Sequence, residues 1–293
     1  MLESRSDRWV NALIHTLLIV VSLAVLYPLF FVLIASFSSP EAVIRGEVWL
    51  WPKGVTLVGY ERILQNKEIL SGYMNTISYT VVGTAINLVM TVAAAYPLSR
   101  KDFYGRHAFT ALILFTMFFS GGMVPTYLLI KKLGMLNTYW AMVIPSALSV
   151  WNIVIMRTFF QSSIPNEIHE AASIDGCSNM QTLVRIVLPL SVPILAVMVL
   201  FYSVGHWNAY FNALIYLTDR AKYPLQLILR EILVQGQMQE MVDVSDDSLA
   251  RSIMDAEAIK FAAVMVANLP VLLLYPFLQK YFVKGVMVGA LKG

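Results

Sequence analysis

The chain of 293 residues is 58% hydrophobic and only 13% charged, with a mean hydropathy of +0.68. A soluble globular domain carries about 25% charged residues, so that class is excluded. The net charge of +3 is spread along the chain and leaves no nucleic-acid footprint. The single cysteine, Cys177, excludes an internal disulfide and reads as a small residue in a turn.

A membrane span needs about 20 mostly apolar residues. Six segments qualify: residues 10–34, 74–98, 108–130, 138–159, 186–202 and 261–281. The reading is an all-α membrane protein with six transmembrane helices, one domain over 1–293 whose core spans run from about 74 to 281. Arg5 and Arg8 precede the first run, but that run far exceeds the apolar core of a secretory signal, so it is a retained anchor. Residues 37–73 follow, with turn signals at Ser39-Pro40, Pro52 and Gly54, and with Trp49 and Trp51 suited to the lipid headgroup level.

Between the second and third spans lies a short basic loop with Arg100, Lys101 and Arg106. Lysines and arginines in short loops mark the cytoplasmic side. This loop therefore places the N-terminus, the stretch around 160–185 and the C-terminal tail, 282–293, in the cytoplasm. The long connections 37–73 and 207–260 fall outside. The second contains an amphipathic helix from Tyr223 and an acidic stretch with Asp243, Asp246 and Asp247. Its length suits a docking surface for an external partner.

Residues 163–185 are polar although they sit between two very apolar segments. Pro165 suits a first helical position. Gly176 can take the left-handed conformation that ends a helix, and Ser178 with Gln181 makes a capping box for the next one. That second helix runs through Leu183, Val184, Ile186 and Leu188 into the fifth span, so a load on the first helix would reach the membrane. Ile164, Ile168 and Ala171 or Ala172 recur at helical spacing and offer a compact apolar face.

Missing motifs narrow the chemistry. Nucleotide hydrolysis would need G-x-x-x-x-G-K-[ST], and no Gly-Lys pair occurs. His169-Glu170 begins a zinc-protease motif, but Ser173 stands where the second ligand belongs, and the four histidines lie far apart. No metal site is expected. Ion-coupled carriers bury ionisable groups in their spans; the central parts of spans two to six hold no Asp, Glu, Lys or Arg. Energy has to arrive from outside the bilayer.

Glu170-Ala171-Ala172, Gly176, then Ile186 and Leu188-Pro189 reproduce the spacing of the EAA signature. On these residues the chain resembles the permease subunits of binding-protein-dependent ABC importers, and Asp175-Gly176 matches the form common in sugar importers. Over nearly its full length it is similar to the second, G-type permease of maltose-like systems, in the branch for larger or unusual saccharides that includes an alginate importer. The resemblance implies a cytoplasmic coupling helix at about 163–177, seated on an ATPase subunit through Glu167, Glu170, Ala171, Ala172, Asp175 and Gly176, with the carboxylates facing partner arginines. It implies that the tail reaches the ATPase through Gly285, Gly289 and Lys292, although Gly285 and Gly289 also form a helix-packing pair.

The implied partners are a second permease chain in a heterodimer, two ATPase subunits, an extracytoplasmic solute-binding protein, membrane lipid and a saccharide. The implied location is the bacterial inner membrane. ATP and magnesium would be held by the ATPase chains, and no cofactor by this one. Sugars need aromatic faces and amide or hydroxyl rims, which makes Asn87, Trp151, Asn152, Asn208 and Tyr210 the substrate-path candidates; helix-packing amides and interfacial aromatics remain open readings. Lys131 and Lys132 suit either an acidic saccharide or a snorkelling anchor. An importer for a non-sugar solute stays the alternative. An intramembrane protease would need paired aspartates or a Ser/His pair in its spans.

Overall fold

Backbone inside lipid has to satisfy its own hydrogen bonds, which leaves the helix as the spanning element for one such chain. The computed structural model describes residues 5–240, 254, 256–274 and 276, and no strand occurs among them. Two predicted spans are single helices that outrun their apolar segments, α1 (Arg5–Ser36) and α4 (Lys67–Ser99). Between them lie α2 (Pro40–Ile44), opened by the Ser39 cap, and α3 (Val58–Gln65).

The third predicted span is not straight. It forms α5 (Arg106–Phe118) and α6 (Met123–Lys132), bent by 110°. Gly122, with φ 83° and ψ −179°, explains the corner, since that conformation is open essentially to glycine alone. The fourth is also interrupted. Pro145 follows α7 (Trp140–Val143), and α8 (Val150–Ser163) begins behind a Ser149 cap. Its 14 residues reach about 21 Å at 1.5 Å each, short of a hydrocarbon layer about 30 Å thick.

The fifth is bent by 82° between Asn179–Leu190 and α12 (Val192–Trp207). Its first part is α10 (Asn179–Thr182), a π-helical turn over Leu183–Val187, and α11 (Leu188–Leu190). Leu188 N–H donates to the Leu183 carbonyl, and Pro189 and Pro193 have no N–H to close an α-turn, which releases the ladder at this point. After α13 (Phe211–Tyr216) and α14 (Leu225–Glu240), the sixth run starts earlier than predicted, as α15 (Ala256–Leu274). By length and composition three of the described helices can cross a membrane unaided, and up to five if each bent pair is one span.

Among the described residues two compact units are distinguished, one holding those up to 70 and those within 229–269, the other those within 71–228 and those from 270 on. In the first, Ile34, Ala42 and Val48 form a small core. Phe31 meets Phe261 edge to face, centroids 5.8 Å apart. A side chain at Gly59 would strike the Ala258 carbonyl, so α3 and α15 approach closely there. Trp49 and Trp51 are exposed.

The second unit is built around α4, α8, the π-turn and α12, which interdigitate Ala95, Met156, Phe160, Val187 and Met198. One face of α4 is polar yet buried, carrying Thr76, Thr80, Thr84, Asn87 and Thr91. Thr76 Oγ1 accepts the Leu225 N–H at 2.8 Å. Asn87 Nδ2 donates to the Ser146 carbonyl at 2.5 Å, and its Oδ1 lies 2.6 Å from His206 Nε2. Thr91 and Tyr202 hydroxyls pair at 2.6 Å. Gly83 leaves the room that the His206 ring occupies. Removing one partner of a buried pair strands the other at about 1–3 kcal/mol. Asn87→Ala should therefore lower the melting temperature in detergent, whereas Thr84→Val, which deletes a hydroxyl with no protein partner, should leave it unchanged or raise it.

Candidate functional site

The polar element between α8 and α12 folds as its sequence dictates, one residue adrift. Pro165 is the residue before α9 (Asn166–Ile174) and not its first helical residue. Asp175 closes the helix and Gly176 turns the chain with φ +74°. Ser178 accepts the Gln181 N–H while Gln181 Oε1 accepts the Ser178 N–H at 2.8 Å, a complete capping box. From there α10, the π-turn and α11 lead into α12 without a loop, and Arg185 stands exposed on the π-turn.

Helix α9 has two edges. Ile164, ahead of it, and Ala172 are buried, and half-buried Ile168 packs on the core formed by α4, α8 and α12. This corrects the expectation that Ala172 seats the helix on an ATPase subunit: the apolar face of Ile164, Ile168 and Ala172 is the helix's seat on its own chain. Glu167, Glu170, Ala171, Ile174 and Asp175 are exposed. Ile174, 86% exposed, escaped the sequence reading. Its signal was the i, i+3, i+7 spacing from Glu167 and Glu170. The outward edge is thus three carboxylates, a small residue and one large apolar side chain, a surface that offers charge-assisted acceptors and one anchor to another chain.

Beside α9 runs the loop between α4 and α5. Arg157 Nε donates to the Leu98 carbonyl at 3.1 Å, and Arg100 grips both oxygens of Asp102, Nε–Oδ1 2.8 Å and Nη2–Oδ2 2.7 Å. That grip holds the Asp102 carboxyl below its ordinary value, against the smaller opposing effect of burial. A cavity of about 390 Å³ lies between loop and helix, with Arg100, Lys101 and Asp102 on one wall and Asn166, His169 and Glu170 on the other. Burial, and then the Arg100 charge, push the His169 imidazole below the usual histidine range, while Asp102 pulls the other way. Among the described residues no cluster of three metal-ligating side chains occurs.

The substrate-path candidates do not gather into one visible site. Asn87 is wholly buried and committed to Ser146 and His206, the position of a helix-packing amide. Asn152 is buried at the start of α8, where neighbouring Trp151 is exposed. Asn208 is exposed and donates to the Val204 carbonyl at 2.9 Å, and Tyr210 is exposed with its ring against Phe211. Lys131 and Lys132 are exposed in the last turn of α6. Gly285, Gly289 and Lys292 lie outside the described residues.

Several long apolar helices, and a two-edged polar helix joined through Gly176 to the helices that end in α12, suit a membrane transport subunit. Comparison with known proteins agrees. Residues 1–288 match the family model described as "Binding-protein-dependent transport system inner membrane component", and the chain belongs to that family. The protein LplC of Bacillus subtilis strain 168 is 40% identical over 266 residues, covering 91% of this chain and 89% of that one. The polygalacturonan/rhamnogalacturonan transport system permease protein YtcP of the same organism is 40% identical over 292 residues, 98% of this chain and 99% of that one. Among solved structures, a chain of a bacterial ABC transporter involved in the import of the acidic polysaccharide alginate superposes with a TM-score of 0.87 at 35% identity, covering 96% of this chain and 99% of that one.

Membership makes this a non-enzymatic permease subunit of a membrane importer, with further permease, ATPase and solute-binding components as partners. The resemblance drawn from the EAA spacing is borne out. The capping box offers a local check. Ser178→Ala removes a cap worth about 1 kcal/mol, so hydrogen exchange should quicken at residues 179–183 while exchange in α8 stays unchanged.

Proposed function

We propose that this chain is a permease subunit of an importer that carries oligosaccharides or polysaccharides, acidic ones included, across the bacterial cytoplasmic membrane. ATP hydrolysis, with its magnesium, takes place in two separate ATPase subunits. A second, different permease chain completes the pathway, and an extracytoplasmic binding protein delivers the solute. Both termini lie in the cytoplasm, on the side of the basic loop at Arg100, Lys101 and Arg106.

The observation that carries the mechanism is the two-edged α9. Its inner edge is held by Ile164, Ile168 and Ala172, its outer edge presents Glu167, Glu170, Ala171 and Ile174, and Asp175-Gly176 joins it to the helices that end in α12. A docked ATPase that shifts α9 during closure pushes a rigid strut, because the capping box and the absence of a loop leave little slack before the bend. The tail around Gly285, Gly289 and Lys292 supplies a second ATPase contact.

The saccharide assignment rests on relatives named for polygalacturonan, rhamnogalacturonan and alginate, polymers that include acidic sugars. Lys131 and Lys132 at an exposed helix end are suited to an anionic solute. Trp151, Asn208 and Tyr210 are the candidates open to contact, whereas Asn87 and Asn152 act from within the packing.

Two outcomes test this. In vesicles holding the complete importer, Glu170→Lys reverses charge on the exposed edge and Gly176→Pro forbids a positive φ. Each should leave complexes that assemble poorly or hydrolyse ATP without transport, and wild-type transport in both refutes the coupling assignment. Separately, binding-protein-stimulated ATPase activity should rise with galacturonan or alginate oligomers and stay at its basal level with neutral maltodextrins. The opposite order rejects the acidic-saccharide reading.

A further inference from the structure

Buried polar atoms in folded proteins nearly always have a hydrogen-bond partner. Five side-chain atoms among the described residues have none within the protein, on Thr80, Thr84, Tyr96, His169 and Ser191. Two of these side chains touch. The rings of Tyr96 and His169 lie 6.1 Å apart, centroid to centroid, tilted by 52°. They belong to different working parts: Tyr96 to the last turn of α4, His169 to α9. Each brings a polar atom, the Tyr96 hydroxyl and His169 Nδ1, to a contact in which neither is used.

The neighbours do not relieve them. Arg100 stands beside both: two short bonds commit its guanidinium to Asp102, and its remaining attraction for the Tyr96 hydroxyl falls short of hydrogen-bond geometry. The Tyr96 ring is fixed by Phe160, centroids 6.4 Å apart and nearly perpendicular, and belongs to the buried core. Packing alone would be served as well by phenylalanine. An unpaired hydroxyl kept against an unpaired imidazole, across the seam where α9 meets a span, is the arrangement of a bond made in one state of a moving pair and open in another.

We infer that His169 and Tyr96 form a second mechanical link from α9 to the membrane domain, through a hydrogen bond between Nδ1 and the hydroxyl that closes in another conformation of the transport cycle. The first link is covalent, from α9 through Gly176 to α12. This one runs sideways to α4, so that displacement of α9 moves two spans together. Both residues are positioning residues, and the inference rests on the coupling role proposed for α9.

Tyr96→Phe separates this from a structural role, since it keeps the ring and deletes a hydroxyl that is unbonded here. Thermal stability of the variant should be unchanged or higher. Solute transported per ATP, measured in vesicles with the complete importer, should fall about two- to tenfold, the net worth of one hydrogen bond at about 1.4 kcal/mol per tenfold. His169→Ala should fall by a similar factor, the double variant by no more than either single one, and His169→Asn, which keeps a polar atom near the Nδ1 position, should recover most of the loss. Wild-type coupling in Tyr96→Phe, or losses that multiply in the double variant, overturns the link. Glu170→Lys measured alongside tells the two readings apart. If it uncouples while Tyr96→Phe does not, only the link falls; if both behave as wild type, the coupling role of α9 falls and takes the link with it.

Discussion

Three apolar side chains hold the working helix of this protein to the rest of it. Ile168 and Ala172 sit four residues apart and share one edge of α9, Ile164 packs from the extended segment ahead of the helix, and the two isoleucines meet the core made by α4, α8 and α12 while Ala172 is buried. Full burial of an isoleucine such as Ile164 contributes about 1.5–3 kcal/mol, and half-buried Ile168 and the Ala172 methyl contribute less. The acidic residues between them have no such option and face outward. A single amphipathic period thus settles which surface belongs to the protein and which is left for another chain. A helix anchored more weakly would slide on its seat under load and transmit nothing.

The spans themselves are less regular than their composition. Glycine at 122 and prolines at 145, 189 and 193 divide three of the six apolar runs into pieces. Such breaks are tolerated in a membrane only where neighbouring helices or a cavity take up the released backbone groups. The bend between α11 and α12 falls soon after the polar element, where under the proposed coupling a push from α9 would pass into α12. A continuous straight helix there would convert that push into axial sliding. A corner would convert it into a swing.

How much of this could be read beforehand divides along a physical line. The ends of α9, the left-handed Gly176 and the Ser178–Gln181 box were legible because capping depends on residues within one turn of each other. The helical membrane class was legible because hydropathy accumulates over 20 residues. That same averaging hid the corner at Gly122 and the split of 138–159, where one or two residues decide. The direction of the apolar edge of α9 was misjudged, since periodicity reveals an edge but not what covers it. Asn87 looked like a sugar contact because its partners, Ser146 and His206, lie 59 and 119 residues away. His169 looked ordinary for a similar reason: Tyr96 comes to it only through the packing of α4 on the core.

The polar stripe of α4 constrains how that helix can behave. Thr76, Thr80, Thr84, Asn87 and Thr91 lie along one line inside an otherwise apolar bundle. Turning α4 by one residue, about 100°, would break its bonds to Leu225, Ser146, His206 and Tyr202 at once and press hydroxyls into hydrocarbon. Moving it lengthwise by one turn would bring Tyr79 or Asn87 to the place where Gly83 leaves room for the His206 ring. The stripe and its one glycine work as a key cut for a single lock, fixing the rotation of α4 and its height together.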